Sequence, residues 1–438
     1  MIELQLNQNL GRMVLEMLKN TYLISLTKKF LTVLFGMVSV IFLNRYLGPD
    51  LKGEYTYIIN ILSIVVVVLG LGISTIYPYY RRRYGSLYFS IFRNLVLIQF
   101  VAYVIFGIAV SLVINNQTVN LLCWLVPITI LSTEIGYINL VENFKANAII
   151  AIVSAFVNVL LLLLAFLLLD KNIIVALVIY AIKEAVIIIF TIATMFLKKD
   201  IGEQKKMSHK EAYKVIASGL IPMLTNLLIV INYRVDVVML KWQNVDFYLI
   251  GLYSVGVSLA EYAWIVPDIF KEVIINKTAQ NDSLKDVKFS LRNSSAILFV
   301  VFIGIVLVGK PFIVLLFGEA YRDSYFVTVI IFTGIYSMMY CKIIGALFIS
   351  QGRQKFYFSV LFIGTSSNVV ANYFIIPIWD IKGAAIASTF SYSVIGIIML
   401  VSFLKRNDVT LKEVLFTTKE DVEVFKTKAI ELKTKLKV

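Results

Sequence analysis

The chain is dominated by long apolar runs that short polar turns separate. The runs are rich in Ile, Val and Leu, and they suit α-helices, because a bilayer core about 30 Å thick needs roughly 20 residues per helical crossing. They are too long for β-strands, which run about 5–6 residues. The pattern therefore predicts about twelve transmembrane helices. These lie near residues 24–44, 55–78, 94–114, 119–139, 147–169, 173–196, 213–240, 249–270, 293–317, 325–350, 356–377 and 382–404.

A lysine-rich break divides the predicted helices six and six, and weak internal similarity supports a repeat. Gly53-x-Tyr55 after the first helix resembles Gly251-x-Tyr253 after the seventh. Six helices per half, starting from the same side, predict two pseudo-symmetric lobes, an arrangement that suits alternating access. The predicted divisions are a cytoplasmic N-terminal segment (1–23), an N-lobe (24–196), a cytoplasmic linker (197–212), a C-lobe (213–404) and a cytoplasmic amphipathic tail (405–438).

The placement of basic residues predicts the orientation of the helices. With the N-terminus inside, roughly four of every five of the 41 lysines and arginines fall on the inner side, as the positive-inside rule requires. Both termini are therefore expected in the cytoplasm. The same bias accounts for the net charge of +14 without a nucleic-acid partner.

The composition excludes a soluble protein, and the sequence offers no catalytic or metal site. Hydrophobic residues make up 59% and charged residues 16% of the chain, against about 45–50% and 25% in soluble domains. Cys123 and Cys341 lie in apolar runs, and the lone His209 lies in a lysine-rich loop without metal-binding partners. We therefore expect a transporter and no enzyme, with no cofactor other than a coupling H⁺ or Na⁺.

Seven charged residues within the predicted helices are the candidate functional residues. A charge near the bilayer centre costs at least about 2.5–3.5 kcal/mol, so it usually faces a cavity and has a function. Lys183, Arg234 and Lys342 are predicted to line a cavity that binds an anionic head group. Four acids are predicted to bind a coupling proton or cation, or to line the cavity: Glu134, Glu184, Asp236 and Glu261. The alternative is a set of interhelical ion pairs that hold the lobes together.

Two pairs of these charges are close in sequence. Lys183 and Glu184 are adjacent, and Arg234 and Asp236 are two residues apart, whereas neighbours on one helix face are three or four apart. We therefore expect neither pair to form. Each charge should find its partner on another helix, in water or in a substrate.

Four stretches resemble the polysaccharide-transport flippases of the O-antigen or Wzx type, within the multidrug/oligosaccharidyl-lipid/polysaccharide exporter superfamily. The stretches occur in the family's order and spread over most of the chain. They are residues 44–50 (NRYLGPD) with the following GEY, 232–240 (NYRVDVVML) with GLYSV at 251–255, 315–321 (LLFGEAY), and 352–387, which includes GRQK, two asparagines and GAAIA.

The resemblance implies a MATE-like fold of twelve helices in two lobes. It also implies translocation of an undecaprenyl-pyrophosphate-linked oligosaccharide, such as an O-antigen or capsule repeat unit, across the bacterial cytoplasmic membrane. Family members use a cationic central cavity, and Arg234 and Asp236 are the charged positions that match best. The implied partners are the polyprenyl-pyrophosphate-linked glycan, membrane lipid, and a polysaccharide polymerase with its chain-length machinery.

Three other functions stay open at this point. A multidrug or cation antiporter of the same superfamily would need an anionic or aromatic cavity, which the predicted cations disfavour. A membrane glycan polymerase should carry its catalytic residues on a large outer loop, and the predicted outer loops are short. A purely structural scaffold would leave the intramembrane charges and the repeat unexplained.

Overall fold

The computed structural model of the chain consists of long α-helices joined by short turns. It describes residues 2–196, 205–278, 284–418 and 421. No strand occurs among these residues, and the predicted all-α class is confirmed. The helices are α1 (Ile2–Leu69), α2 (Ile73–Tyr84), α3 (Phe89–Val113), α4 (Gln117–Glu142), α5 (Phe144–Leu168), α6 (Ile173–Phe196), α7 (His209–Trp242), α8 (Phe247–Glu261), α9 (Ile265–Thr278), α10 (Leu284–Phe317), α11 (Ser324–Ser350), α12 (Gln354–Asn407) and the short α13 (Lys412–Leu415).

Ten helical stretches of the described chain are long and apolar enough to cross a membrane, and two of them, in α1 and α12, contain a break inside a single helix. α1 breaks at Gly48, whose φ of 71° favours glycine. α12 breaks at Trp379 and Asp380. As one straight rod, the 54 residues of α12 would span about 81 Å, far more than a bilayer core. Each broken helix therefore makes two crossings, which gives the predicted twelve, and both breaks fall at predicted turns.

The chain divides into two compact units, Met1–Leu227 and Leu228–Val438. The first unit holds six whole crossings and the second holds five, and the crossing of α7 is divided between them. The boundary falls inside α7 rather than in a loop. The predicted linker at 197–212 is described only from residue 205 onward, so its role as the division between lobes stays a prediction.

The described part of the C-terminal tail is fixed to the first turns of α10. Lys288 Nζ donates to Glu413 Oε2 at 2.9 Å, and Arg292 donates to both carboxylate oxygens of Asp421, at 2.6 and 2.7 Å. The hydrogen bond from Lys288 lowers the pKa of Glu413 to about 2. Burial opposes ionisation of Asp421, but the bonds from Arg292 outweigh it and lower its pKa. The predicted amphipathic helix beyond Asp421 lies outside the described residues.

Helix packing in the second unit depends on small residues. α11 packs against α8, α9, α10 and α12. Gly396 of α12 lies against the backbone of α11, where a Cβ atom would overlap the carbonyl oxygen of Ser337. Small residues let membrane helices approach closely, so Gly396 sets the distance between α11 and α12.

We expect Gly396→Ala to destabilise the protein by about 1–3 kcal/mol, because the added methyl group must push α11 away. The matched control is Gly304→Ala in α10, since nothing lies within 4 Å of a Cβ atom there. Thermal unfolding of the two variants in detergent checks the prediction. Equal midpoints for both variants would show that α11 and α12 do not need the glycine.

Candidate functional site

Arg234 and Glu261 form a loose contact in the second unit. Arg234 lies in α7 and Glu261 is the last residue of α8, and Arg234 Nη1 is 3.6 Å from Glu261 Oε1. This distance exceeds the usual length of a charge-assisted hydrogen bond, about 2.7–2.9 Å. The Arg234 side chain is 38% exposed and that of Glu261 21%. The guanidinium therefore contacts a carboxylate and still has N–H donors available for a ligand.

Lys342 lies nearby in the same unit and has two partners. Its Nζ atom is 3.0 Å from Asp268 Oδ1 and 4.3 Å from the centroid of the Trp264 ring. Trp264 in turn contacts Tyr233, the residue before Arg234, with ring centroids 6.1 Å apart. Charges on Glu261, Asp268 and Lys271 act on Lys342. The structure thus brings together three of the predicted candidates, Arg234, Glu261 and Lys342. Three residues that were not predicted join them: Trp264, Asp268 and Lys271.

The missed residues had a signal in the sequence. Glu261, Trp264 and Asp268 are spaced by three and four residues, which places them on one helix face. A polar stripe of this kind in an apolar run marks a face turned away from lipid. The group contains three cations and two carboxylates and is therefore only weakly positive. Its members are Arg234, Lys271, Lys342, Glu261 and Asp268.

Asp236 is buried and is bound by neutral donors. Its carboxylate accepts hydrogen bonds from Tyr253 Oη at 2.8 Å, from Asn372 Nδ2 at 2.6 Å and from the Ser388 hydroxyl. No lysine or arginine of the described chain forms an ion pair with it. The Oδ1 atom of Asn372 is buried beside it without a donor. Arg234 and Asp236 thus take different partners, as their two-residue spacing predicts.

Lys183 and Glu184 contradict the expectation that they point apart. Lys183 Nζ lies 2.7 Å from Glu184 Oε1. Two long side chains on successive residues can curl together, and Lys183 Nζ also lies 4.6 Å from the centroid of the Tyr180 ring, three residues earlier. Glu184 accepts a second hydrogen bond, from Ser132 Oγ of α4 at 2.5 Å. The prediction that Lys183 and Glu184 do not pair is therefore wrong, and Glu184 has a further partner on another helix.

Two cavities flank the Lys183–Glu184 pair in the first unit. One has a volume of about 290 Å³ and is lined by Glu184, Lys28 and Asn147, among others. The second has a volume of about 280 Å³ and is lined by Lys183 and Asn158, among others. Polar side chains therefore line the cavities on both sides of the pair.

Glu134 accepts a hydrogen bond at the N-terminus of α2. Its Oε2 atom accepts a hydrogen bond from the backbone N–H of Ser74 at 2.9 Å, and Ser74 lies in the first turn of α2. The first N–H groups of a helix lack partners within it, and a negative charge there is favourable. Glu134 is 4% exposed, so this contact accounts for a carboxylate that water does not reach.

The structure groups the seven candidates by unit. Glu134, Lys183 and Glu184 lie in the first unit, and Arg234, Asp236, Glu261 and Lys342 lie in the second. The looser contact and the more open guanidinium make the neighbourhood of Arg234 the better candidate for binding a ligand.

Comparison with known proteins shows both family and fold. A family model described as "Polysaccharide biosynthesis protein" matches residues 17–263, more than half of the chain. No curated protein sequence matches the chain significantly.

Among solved structures, an inward-facing multidrug resistance MATE family transporter of the MOP superfamily superposes with a TM-score of 0.69 at 14% identity, covering 86% of this chain and 94% of that one. The lipid II flippase MurJ, in an inward closed conformation, gives 0.66 at 14% identity, with 90% and 89% covered. A mutant of the Vibrio cholerae MATE transporter VcmN gives 0.60 at 12% identity, with 90% and 98% covered. At these identities the likeness shows the MATE-like fold and leaves the substrate open.

We expect Asp236→Ala to destabilise the protein, because three buried donors lose their acceptor, and each unsatisfied buried group costs about 1–3 kcal/mol. The matched control is Asp323→Ala, since Asp323 is exposed at the start of α11 and makes no side-chain cap hydrogen bond. Thermal unfolding in detergent compares the two. A midpoint for Asp236→Ala equal to that of the control would mean that the donors have other acceptors.

Proposed function

Because the chain belongs to the polysaccharide biosynthesis protein family, we propose that it is a flippase for a lipid-linked oligosaccharide. It moves an undecaprenyl-pyrophosphate-linked repeat unit, such as that of an O-antigen or capsule, from the inner to the outer leaflet of the bacterial cytoplasmic membrane. Both termini lie in the cytoplasm in this proposal. The fold shared with the lipid II flippase MurJ supports transport of a lipid with a large polar head group.

The loose contact between Arg234 and Glu261 carries the proposal. A diphosphate offers the guanidinium two acceptor oxygens in a bidentate geometry that a carboxylate 3.6 Å away does not provide. Lys342, whose Nζ atom lies 4.3 Å from the Trp264 ring centroid, adds a second cation as a point charge. Binding therefore exchanges Glu261 and Asp268 for phosphate oxygens. When the substrate leaves, Glu261 pairs again with Arg234 and Asp268 with Lys342, so that no cation is left without a partner.

This exchange answers the physical difficulty of moving a sugar head group through a membrane. Stripping each polar group of its hydrogen bonds in hydrocarbon costs several kcal/mol. The lipid tail can stay in the bilayer while charged and polar side chains replace the water around the head. Alternating access of the two lobes would then decide on which side the head group is released.

We further propose that Asp236 binds the coupling cation, H⁺ or Na⁺. The site holds a buried carboxylate with no positive partner among the described residues and the donor-free Oδ1 of Asn372. These two oxygens could share a proton or bind Na⁺ with the Tyr253 and Ser388 hydroxyls. Glu184, in its pair with Lys183, is the second candidate for a proton, because one cavity is lined by Glu184 and another by Lys183.

A multidrug exporter is the competing function, because the same fold serves MATE transporters. A cationic drug would meet Arg234, Lys342 and Lys271 at the candidate site and gain from only two carboxylates. The charge balance favours an anionic substrate. The two functions differ in the sign of the charge that they transport, which an assay with both substrates separates.

We expect Arg234→Ala to slow glycan export by roughly 10–100-fold, since a hydrogen bond to a charged group contributes about 1.5–3 kcal/mol. The control is Arg322→Ala, because Arg322 is exposed and paired with Glu319 three residues away. Surface glycan is measured beside the amount of each variant in the membrane. Normal glycan with Arg234→Ala, at normal protein level, would exclude Arg234 from the site.

A further inference from the structure

A second cationic region lies in the first unit, where α2 ends and α3 and α7 begin. Its base is a buried aromatic cluster of Tyr77, Tyr80, Tyr88 and Phe92. The Tyr80 ring lies 5.0 Å from the Tyr88 ring and 5.4 Å from the Phe92 ring, between centroids. Edge-to-face contacts of this kind fix ring positions. The side chains that surround the cluster are thus displayed on a rigid support.

The two described acids of this region are already engaged. Glu142 accepts from Arg81 Nε and from Tyr77 Oη, each at 2.6 Å. Glu211 accepts from Lys205 Nζ at 2.7 Å and from Tyr88 Oη at 2.8 Å. Neither carboxylate needs a further cation.

Six exposed cations around the cluster form no ion pair with a carboxylate of the described residues, although the charge of Lys214 also acts on Glu211. We call them the basic patch: Arg82, Arg83, Arg93, Lys206, Lys210 and Lys214. Such concentrations of positive charge at a helix end attract phosphate groups. The positive-inside rule explains why cations occur at this end, but it does not explain why individual cations are held in fixed positions.

Two cations of the basic patch are held over one ring. Arg83 donates from Nη1 to Tyr79 Oη at 2.6 Å, and its Cζ atom lies 5.5 Å from the Tyr84 ring centroid. Lys214 Nζ lies 5.8 Å from the same centroid. Both cations therefore lie against the Tyr84 ring, and an anion that contacts both would offset the repulsion between them. Exposed rings stand beside them, since Tyr79 is 57% and Tyr213 75% exposed.

We propose that the basic patch binds the diphosphate head of the lipid-linked substrate, apart from the Arg234 site. This proposal rests on the proposed function and adds a capture site to it. A diphosphate places two phosphate groups on one head, so it can contact Arg83 and Lys214 together, whereas a phospholipid with a single phosphate offers one. Arg82 and Arg93 supply further donors. The exposed tyrosines can pack against the first sugar, as aromatic rings do with the apolar faces of sugars.

The test is photo-crosslinking of the full chain in detergent with a farnesyl diphosphate that carries a diazirine on its first isoprene unit. Peptide mass spectrometry locates the label. We expect labelled peptides from residues 76–93 and 206–216, besides any near Arg234. The double variant Arg83→Gln with Lys214→Gln should reduce patch labelling about tenfold or more, because two charged contacts are lost. Arg406→Gln, which removes an exposed arginine at the end of α12, should leave it unchanged.

Two further measurements separate the proposal from its rivals. Arg234→Ala should keep the labelling of the basic patch even where it abolishes export. Loss of export and loss of labelling at the basic patch are therefore separate results. Excess phosphatidylglycerol should compete weakly and inorganic diphosphate strongly. Labelling near Arg234 alone would overturn the proposal. So would equal competition by phosphatidylglycerol, since the patch would then bind the surrounding phospholipid.

Discussion

A charge inside a bilayer needs a partner, and this requirement decides how the buried charges of the chain are arranged. Glu134 is satisfied by the first turn of α2, Asp236 by hydroxyl and amide donors, and Lys183 by its neighbour Glu184. These contacts are short, and the three carboxylates in them are buried. Arg234 differs, because its carboxylate partner is 3.6 Å away and its side chain is 38% exposed.

The same requirement applies to the substrate, and it connects the helical fold to transport. A diphosphate cannot cross hydrocarbon unless cations replace its water. Cations are unfavourable in hydrocarbon unless carboxylates pair with them. A site in which each cation already has a replaceable carboxylate meets both conditions, and the group around Arg234 and Lys342 is built in this way. A net-positive cavity, as the sequence suggested, is not needed at every moment of the cycle.

The sequence was a good guide to the crossings because apolar length alone sets them. The breaks at Gly48 and at Trp379 and Asp380 fall at turns that separate predicted helices. Side-chain partners were harder to predict. Adjacent spacing suggested that Lys183 and Glu184 splay, but spacing fixes only the Cβ directions and not the ends of long side chains. The partner of Glu134 is a backbone N–H sixty residues earlier, which no local pattern reveals.

The boundary between the two compact units lies within the continuous apolar run of α7, where no local pattern marks it. For the candidate site, the charged positions themselves were recognisable, but their grouping depends on tertiary packing. Glu261, Trp264 and Asp268 could have been selected from their helical spacing. Lys342 could not have been assigned to the same group, because it reaches Asp268 from another helix.

Transport by the purified chain in liposomes tests the proposed flippase function most directly. A fluorescent oligosaccharide linked to a prenyl diphosphate is placed in both leaflets, and a membrane-impermeant quencher reports its movement, beside a cationic dye trapped in the lumen. We predict that the lipid-linked sugar becomes fully accessible to the quencher, faster than in empty liposomes, while the dye stays inside. Release of the dye with no gain in lipid movement would contradict it and would assign the chain to cation export.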